Sequence, residues 1–247
     1  TPESASELGR LNPEAIEKVR EEAWPELRNA EELHDALVVL GFMTEYEGVH
    51  GAPTTLPKLV KSSKASFMTE LEQTKRSTVM TIAPDTRLWV AAERLQVMQQ
   101  VFPNASFTPE IQPFIADEAE DPESALREIL RSRLEGLGPV TLAQLAEPLS
   151  LATHQLEAAL LALQQEGFAI QGNFSSAGPT TEWCERGLLA RIHRYTLKQL
   201  RSEIEPVAPT DFMRFLFDWQ GLNEPGEGEI SLLNCLTQLE GLCLPAA

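Results

Sequence analysis

The sequence predicts a mainly α-helical fold that carries small β wings, which places the chain in the α+β class. Apolar residues recur at helical spacing through most of the 247 residues. Two short runs, 77–83 and 87–92, are instead rich in β-branched and apolar residues and flank the turn Pro84-Asp85, which is typical of a hairpin. Helix-capping residues and glycines separate these segments.

Two helices are predicted before residue 42. Asn12 is a cap with Pro13 in the first turn, and this helix ends near Trp24. Asn29, followed three residues later by Glu32, predicts a capping box at the start of the second helix. Gly41 ends that helix.

The segment 44–76 has little periodic pattern, and glycines and prolines interrupt it. We interpret it as a mobile loop that carries a small basic patch, for which contact with nucleic acid is the alternative. The patch comprises Lys58, Lys61 and Lys64. After the hairpin, a helix is predicted over 93–101 and a proline-bearing linker over 102–121.

A second run of elements follows Asp121-Pro122, which opens a helix with Glu123 and Arg127 spaced as an i, i+4 pair. A short helix is predicted over 142–147, a longer helix over 153–166 after a turn, and a strand over 168–174. Helix, turn, helix and then a strand is the order of a winged helix-turn-helix domain. The sequence therefore predicts tandem winged helix-turn-helix domains, over 1–115 with an irregular insertion, over 116–180, and in truncated form over 181–247.

The helix over 153–166 occupies the position that reads DNA in such domains. Between residues 134 and 185 the chain has six Glu and neither Lys nor Arg. A helix in the major groove needs cations for the neighbouring phosphates before it can read bases. We therefore expect this domain to act as a packing module.

A basic stripe marks the helix predicted over 186–204. Residues 186–201 hold five of the chain's 20 Lys and Arg and no acid. Adjacent cations on one helix face repel one another, so such a face normally has an anionic neighbour. That neighbour could be a nucleic-acid backbone or an acidic surface of the same protein, and the excess of carboxylates favours the second. The candidate contact residues are Arg186, Arg191, Arg194, Lys198 and Arg201.

Two further helices are predicted over 210–220 and 230–240. In the first, Phe212, Phe215, Leu216 and Trp219 form one apolar stripe, which we expect to be core. In the second, the residues expected to face inward are Leu232, Leu236 and Leu239. This helix pair resembles the opening of a further winged helix.

The run from Trp183 to Gln220, WCERGLLARIHRYTLKQLRSEIEPVAPTDFMRFLFDWQ, resembles the C-terminal region of the bacterial large helicase-related (Lhr) family. The runs NPEAIEKVREEAWPELRNAEELHDAL and RLWVAAERL resemble the same family. The resemblance implies a fragment of a bacterial ATP-dependent DNA helicase tied to repair, in which this segment is an accessory, assembly or DNA-guiding part. Its partners would be the rest of the parent chain, DNA through the basic stripe, or a second copy.

The motor chemistry of such a helicase is not encoded in this sequence. No G-x-x-x-x-G-K-[ST] phosphate cradle occurs, so ATP and Mg²⁺ are implied only for the parent motor, and no cofactor is expected in this segment. No catalytic residue or metal site is predicted either. Two alternatives remain open: part of a DNA glycosylase-like base-excision domain, although no Q-x-Q or Q-x-D triplet occurs, and an oligomerisation scaffold.

The composition restricts partners and location. A formal charge of −17 confines any nucleic-acid contact to a local basic patch, because phosphate neutralisation supplies most nonspecific affinity. No apolar run is long enough for a membrane span, and we expect no membrane partner. Three scattered cysteines, Cys184, Cys235 and Cys243, fit free thiols in a reducing cytoplasm.

Overall fold

The computed structural model describes residues 11–51, 64–113, 121–175, 180–202, 207–221 and 226–239. Most described residues are helical, and the strands form two small antiparallel sheets, which confirms the predicted α+β class. The chain divides into two compact units, Thr1–Gln199 and Leu200–Ala247.

The first unit opens with helices α1 (Pro13–Ala23) and α2 (Ala30–Leu40). The Asn12 side chain accepts hydrogen bonds from the backbone N–H groups of Glu14 and Ala15, as predicted for a cap. Asn29 likewise caps α2 by accepting from the Glu32 N–H at 2.8 Å. The predicted capping box is wrong, because the Glu32 carboxylate accepts from the Arg28 N–H at 2.8 Å instead.

The predicted loop over 44–76 is wrong where the structure describes that segment. Strand β1 (Met43–Thr44) leads into helix α3 (Glu45–His50), and helix α4 (Lys64–Gln73) follows. Thr44 and Glu47 form a capping box that starts α3. A Cβ at Gly48 would lie 2.1 Å from the Trp89 ring, so a glycine here lets α3 lie directly on the core.

The predicted hairpin is confirmed as strands β2 (Ser77–Ala83) and β3 (Thr86–Ala91). Helix α5 (Leu95–Val101) follows within the range predicted for it. Strand β4 (Ser106–Thr108) falls inside the predicted linker, which is therefore wrong over those residues. The first sheet has the order β1–β3–β2–β4 with all pairs antiparallel.

A second set of elements repeats this order. Helix α6 (Pro122–Leu137) is followed by β5 (Val140–Thr141), α7 (Leu142–Ala146), α8 (Thr153–Gln165), β6 (Ala169–Gly172) and β7 (Glu182–Glu185). The sheet order is β5–β7–β6, so the first strand pairs with the last, as β1 pairs with β3. We call 30–91 the first module and 122–185 the second. The predicted pair of Glu123 with Arg127 is replaced, since Arg127 donates to Ser124 Oγ and lies 3.6 Å from Glu166.

The two modules share one hydrophobic core. Fully buried residues of both belong to the same cluster, among them Leu37, Leu88, Leu130, Leu160 and Trp183. Helix α6 of the second module packs against α2 and α5 as well as against its own α8. The two modules are therefore joined by apolar burial, the largest favourable term in folding, as well as by the chain.

Polar contacts also join the modules. Arg94, just after β3, donates to the Val38 carbonyl at 2.7 Å and to Ser132 Oγ on α6 at 3.2 Å. At the tip of the β2–β3 hairpin, the hydroxyls of Thr86 and Ser150 lie 3.0 Å apart. The first hairpin is therefore in contact with the turn between α7 and α8.

Helix α9 (Arg186–Ser202) follows β7 directly and confirms the predicted long helix within the described range. In the second unit, helices α10 (Pro209–Trp219) and α11 (Glu229–Leu239) occupy the predicted positions.

The predicted core stripe of α10 is wrong: Phe212 is 50%, Phe215 54% and Trp219 58% exposed, and Leu216 is half-buried. On α11, Leu232 and Leu236 are exposed as well, and the Leu239 side chain lies outside the description. Helical spacing shows which residues share a face, but burial also needs an element that covers it.

Candidate functional site

The N-terminus of α9 is capped by Glu185, the last residue of β7. The Glu185 carboxylate accepts hydrogen bonds from the backbone N–H groups of Gly187 at 2.6 Å and Leu188 at 2.7 Å. A carboxylate at this end also interacts favourably with the helix dipole. Leu188, Ile192 and Thr196 form the buried face, so the start and the rotation of α9 are both fixed.

Helix α9 pairs with α1, the first helix of the unit. The backbone N–H of Asn12 donates to Thr196 Oγ1 at 3.0 Å, and Gln199 donates to Glu14 at 3.2 Å. Since higher numbers on α9 meet lower numbers on α1, the two helices are antiparallel. A small apolar cluster lies between them, formed by Ala15, Ile16, Val19, Cys184, Leu188 and Ile192.

One cation of the predicted stripe belongs to this helix pair. Arg191 Nη2 lies 2.6 Å from Glu22 Oε2, and the Tyr195 hydroxyl donates to the same carboxylate at 3.0 Å. Desolvation acts to raise the pKa of Glu22, but the hydrogen bonds from Arg191 and Tyr195 outweigh it and hold that pKa below its usual value. Lys18 Nζ lies 4.5 Å from the centre of the Tyr195 ring. Arg191 is thus satisfied by a carboxylate of its own chain.

The next two cations of the stripe are exposed. Arg194 and Lys198 lie one helical turn apart, and neither forms an ion pair with any residue that the structure describes. Leu197 lies on the same side of the helix and is 37% exposed. We call Arg194, Leu197 and Lys198 the cationic face of α9.

The remaining candidates lie elsewhere. Arg186 is exposed in the first turn of α9, and Arg201 is exposed in its last turn, which belongs to the second unit. Lys58 and Lys61 lie outside the described residues. Lys64 is the first residue of α4, and its side chain is outside the description.

Helix α8 presents a face without cations. Its exposed residues include His154, Gln155, Glu157 and Gln164, and its buried face is formed by Leu156, Ala159, Leu160 and Leu163. Phosphate contacts require donors of positive charge beside the groove. The exposed face of α8 offers none, in agreement with the charge pattern of the sequence.

Sequence reasoning missed a buried ion pair between the modules. Arg133 of α6 and Glu47 of α3 are 2.5 Å apart, and their side chains are only 3% and 5% exposed. Arg133 also donates to the Phe42 carbonyl at 3.1 Å, and its guanidinium lies 4.5 Å from the Phe42 ring centre. The Thr44-x-x-Glu47 capping signal could have located α3, but no local pattern marks a partner 86 residues away.

A cleft of about 1010 Å³ lies between α3, the β2–β3 turn and α7, and this ion pair is part of its lining. Tyr46 and His50 stack at its edge with ring centres 4.2 Å apart. Arg87 lies 3.4 Å from Glu45 across the same rim. Among the described residues, no group of three or more His, Cys, Asp and Glu could hold a metal ion.

Cys184 is a buried free thiol, as predicted, and burial raises its pKa to about 12. A thiol with so high a pKa is not a nucleophile at neutral pH. The side chains of Cys235 and Cys243 lie outside the described residues.

None of the described helices is both long and apolar enough to cross a lipid bilayer.

The chain is similar in sequence to part of a curated bacterial protein. No family model matches the chain. A curated protein from Mycolicibacterium smegmatis (strain ATCC 700084 / mc(2)155), named "Lhr helicase/ probable uracil glycosylase", is 26% identical over 228 residues. The match covers 89% of this chain and 14% of that protein, so the chain spans about one seventh of its relative's length. The chain is therefore related to the Lhr helicases, which confirms the resemblance carried by its sequence.

Proposed function

We propose that the chain is a non-motor, C-terminal segment of an Lhr-like ATP-dependent DNA helicase that acts in DNA repair. In this proposal it is an accessory and assembly module that also guides DNA, and it consists of tandem winged helix-turn-helix domains over 1–115 and 116–180, followed by the start of another over 181–247. The observation that carries the proposal is the repeated order of elements in the two modules, together with the match to part of an Lhr helicase.

The strand pairing supports the winged-helix assignment. In each module a helix and a two-residue strand precede two helices and a hairpin, and that short strand pairs with the second strand of the hairpin. The hairpin then occupies the position of a wing and the second helix that of a reading helix. These positions are filled by the β2–β3 hairpin and α4 in the first module, and by β6–β7 and α8 in the second.

The surfaces that usually contact DNA support an assembly role here. The tip of the first wing contacts the second module through Thr86 and Ser150, and the reading helix α8 is free of exposed cations. The shared core and the Arg133–Glu47 pair hold both modules together. The modules therefore fit the role of a rigid platform that positions α9.

The anionic partner in this proposal meets α9. Arg194 and Lys198 are the residues of the first unit that we assign to this contact, with Arg186 and Arg201 at the two ends of the helix. Arg191 contributes by holding α9 on α1. Lys58, Lys61 and Lys64 remain weaker candidates.

An assay of motor activity tests the proposal. The isolated chain is expected to hydrolyse no ATP in the presence of DNA and Mg²⁺, because its sequence has no phosphate cradle. The assembly role is tested by mixing the chain with the rest of the parent protein and measuring co-elution and solution mass. DNA-stimulated phosphate release above a mock-purified control, or failure to co-elute, would contradict the proposal.

Base excision is the second candidate, because the name of the M. smegmatis relative includes "probable uracil glycosylase". A labelled oligonucleotide with a single uracil, incubated with the chain and then cleaved at abasic sites, separates the two functions. The assembly proposal predicts no strand cleavage. Cleavage above the background of a heat-inactivated sample would favour the glycosylase.

A further inference from the structure

We infer that the cationic face of α9 docks an acidic amphipathic helix from a protein partner. The inference rests on the proposed assembly function and specifies the chemistry of the partner at that face. Nucleic acid is the competing occupant, and its binding is one outcome of the test below.

One cation of the same stripe already pairs with a carboxylate on a neighbouring helix. Arg191 meets the Glu22 carboxylate at 2.6 Å, and that carboxylate is carried by a helix antiparallel to α9. Arg194 and Lys198 follow on the same side of α9 one and two turns further along, where α1 does not supply an ion-pair partner. A second carboxylate-bearing helix would complete the pattern that α1 begins.

The side chains of the cationic face match those of an acidic amphipathic helix. Two cations one turn apart match carboxylates one turn apart on a facing helix. Leu197, 37% exposed on the same side, is an apolar contact of the kind a partner helix would cover. A phosphate backbone would use both charges but would leave this apolar side chain without a partner.

Acidic side chains of α1 flank the cationic face. Helix α1 exposes Glu14, Glu21 and Glu22, of which Glu14 and Glu22 contact α9 at Gln199 and Arg191, and the chain carries −17 in total. At physiological salt, charges act over a Debye length of about 8 Å. A narrow acidic helix can pair with Arg194 and Lys198 alone, whereas the broad array of phosphates on a duplex would also approach these carboxylates. The flanking acids therefore disfavour a duplex at this face.

The test uses fluorescence anisotropy with defined probes. The first probe is a labelled amphipathic helical peptide of about 20 residues. One face of this peptide carries two Glu residues one helical turn apart, with a Leu between them. The second probe is the same peptide with every Glu replaced by Gln. Single-stranded oligo-dT of about 20 nucleotides and a duplex of equal length form the nucleic-acid arm. All titrations are made at about 50 and 200 mM salt.

We expect the acidic peptide to bind more tightly than its Gln copy and than either DNA. The double reversal Arg194→Glu/Lys198→Glu should weaken the acidic peptide about tenfold, because two favourable pairs become repulsive. The reversed protein should gain affinity for a peptide with Lys in place of Glu. The matched control is Arg28→Glu/Lys75→Glu, which changes the net charge equally at exposed sites outside α1 and α9 and should leave binding within about twofold.

Three results would overturn the inference. The first is DNA that binds more tightly than the acidic peptide and whose binding is lost in the Arg194→Glu/Lys198→Glu variant. This result would assign the cationic face to nucleic acid and would remain consistent with the proposed DNA-guiding role. Equal losses in the reversal and the control would show that net charge alone is measured. Absence of binding by every probe would also overturn the inference. The assembly role is tested separately, by co-elution of the chain with the rest of the parent protein. Unchanged circular dichroism in both variants shows that each is folded.

Discussion

Replacing Arg133 by Met is expected to lower the free energy of unfolding by about 3–5 kcal/mol, the cost of leaving one partner of a buried ion pair alone. Glu47 would remain 4% exposed without its cation, and the Phe42 carbonyl would lose its donor. The side chain also joins α6 to α3, so the loss would fall on the contact between the modules.

Urea unfolding followed by tryptophan fluorescence measures this change. The matched control is Arg131→Met on the same helix, where the side chain is 30% exposed, pairs with Glu166 and Glu128 and lies 4.8 Å from the Phe168 ring centre, so the expected loss is smaller, about 1–2 kcal/mol. The double variant Glu47→Gln/Arg133→Met should recover part of the loss, because it removes the unpaired charge. A loss below about 1 kcal/mol for Arg133→Met would show that the pair is not buried as described.

Replacing Glu182 by Gln is expected to lower the free energy of unfolding by about 1.5–3 kcal/mol at pH 7, as for other hydrogen bonds to a charged group. Glu182 is 5% exposed on β7, and its carboxylate accepts from the N–H groups of Phe174 and Ser175 and from the Ser175 hydroxyl. Burial acts to raise the pKa of Glu182, but these hydrogen bonds outweigh it and hold the pKa below its usual value.

The lowered pKa of Glu182 determines how the stability depends on pH. A lowered pKa in the folded state means that Glu182 stabilises the protein above its unfolded-state pKa and loses this effect as pH falls through the folded-state pKa. The difference in unfolding free energy between wild type and Glu182→Gln should therefore shrink below about pH 4.5. Glu157→Gln, at an exposed position of α8, is the control and should show little difference at any pH. A gap that is constant or grows on acidification would contradict this assignment.

Local signals in the sequence predicted most of the helices correctly. Asn12 and Asp121 are caps in the structure, and each sits before a proline in the first helical turn. The charge pattern likewise identified α8 as a helix without cations. These features depend on a few neighbouring residues, which is why a single sequence can reveal them.

The errors have physical reasons of two kinds. The sequence does not predict helix α3 because Gly48 is a residue that usually interrupts helices. In the structure a glycine is required at this position, since a Cβ would clash with the Trp89 ring. The stripe of α10 was assigned to a core because spacing defines a face but not what covers it. A sequence can indicate that a cation has an acidic partner, but it does not identify that partner. Glu22, the partner of Arg191, is 169 residues away in the chain. The sequence left a nucleic-acid backbone and an acidic protein surface open as neighbours of the stripe, and in the structure Arg191 pairs with Glu22.

In the proposed assembly role the modules form a platform, and α8 does not contact DNA although it occupies the position of a reading helix. The most direct test is the affinity of the double variant Gln155→Ala/Gln164→Ala for single-stranded and duplex DNA at about 50 and 200 mM salt. Because neither glutamine can neutralise a phosphate, the account predicts affinities within about twofold of wild type at both salt concentrations. A tenfold loss of affinity for duplex DNA would contradict it, since α8 would then lie in the groove.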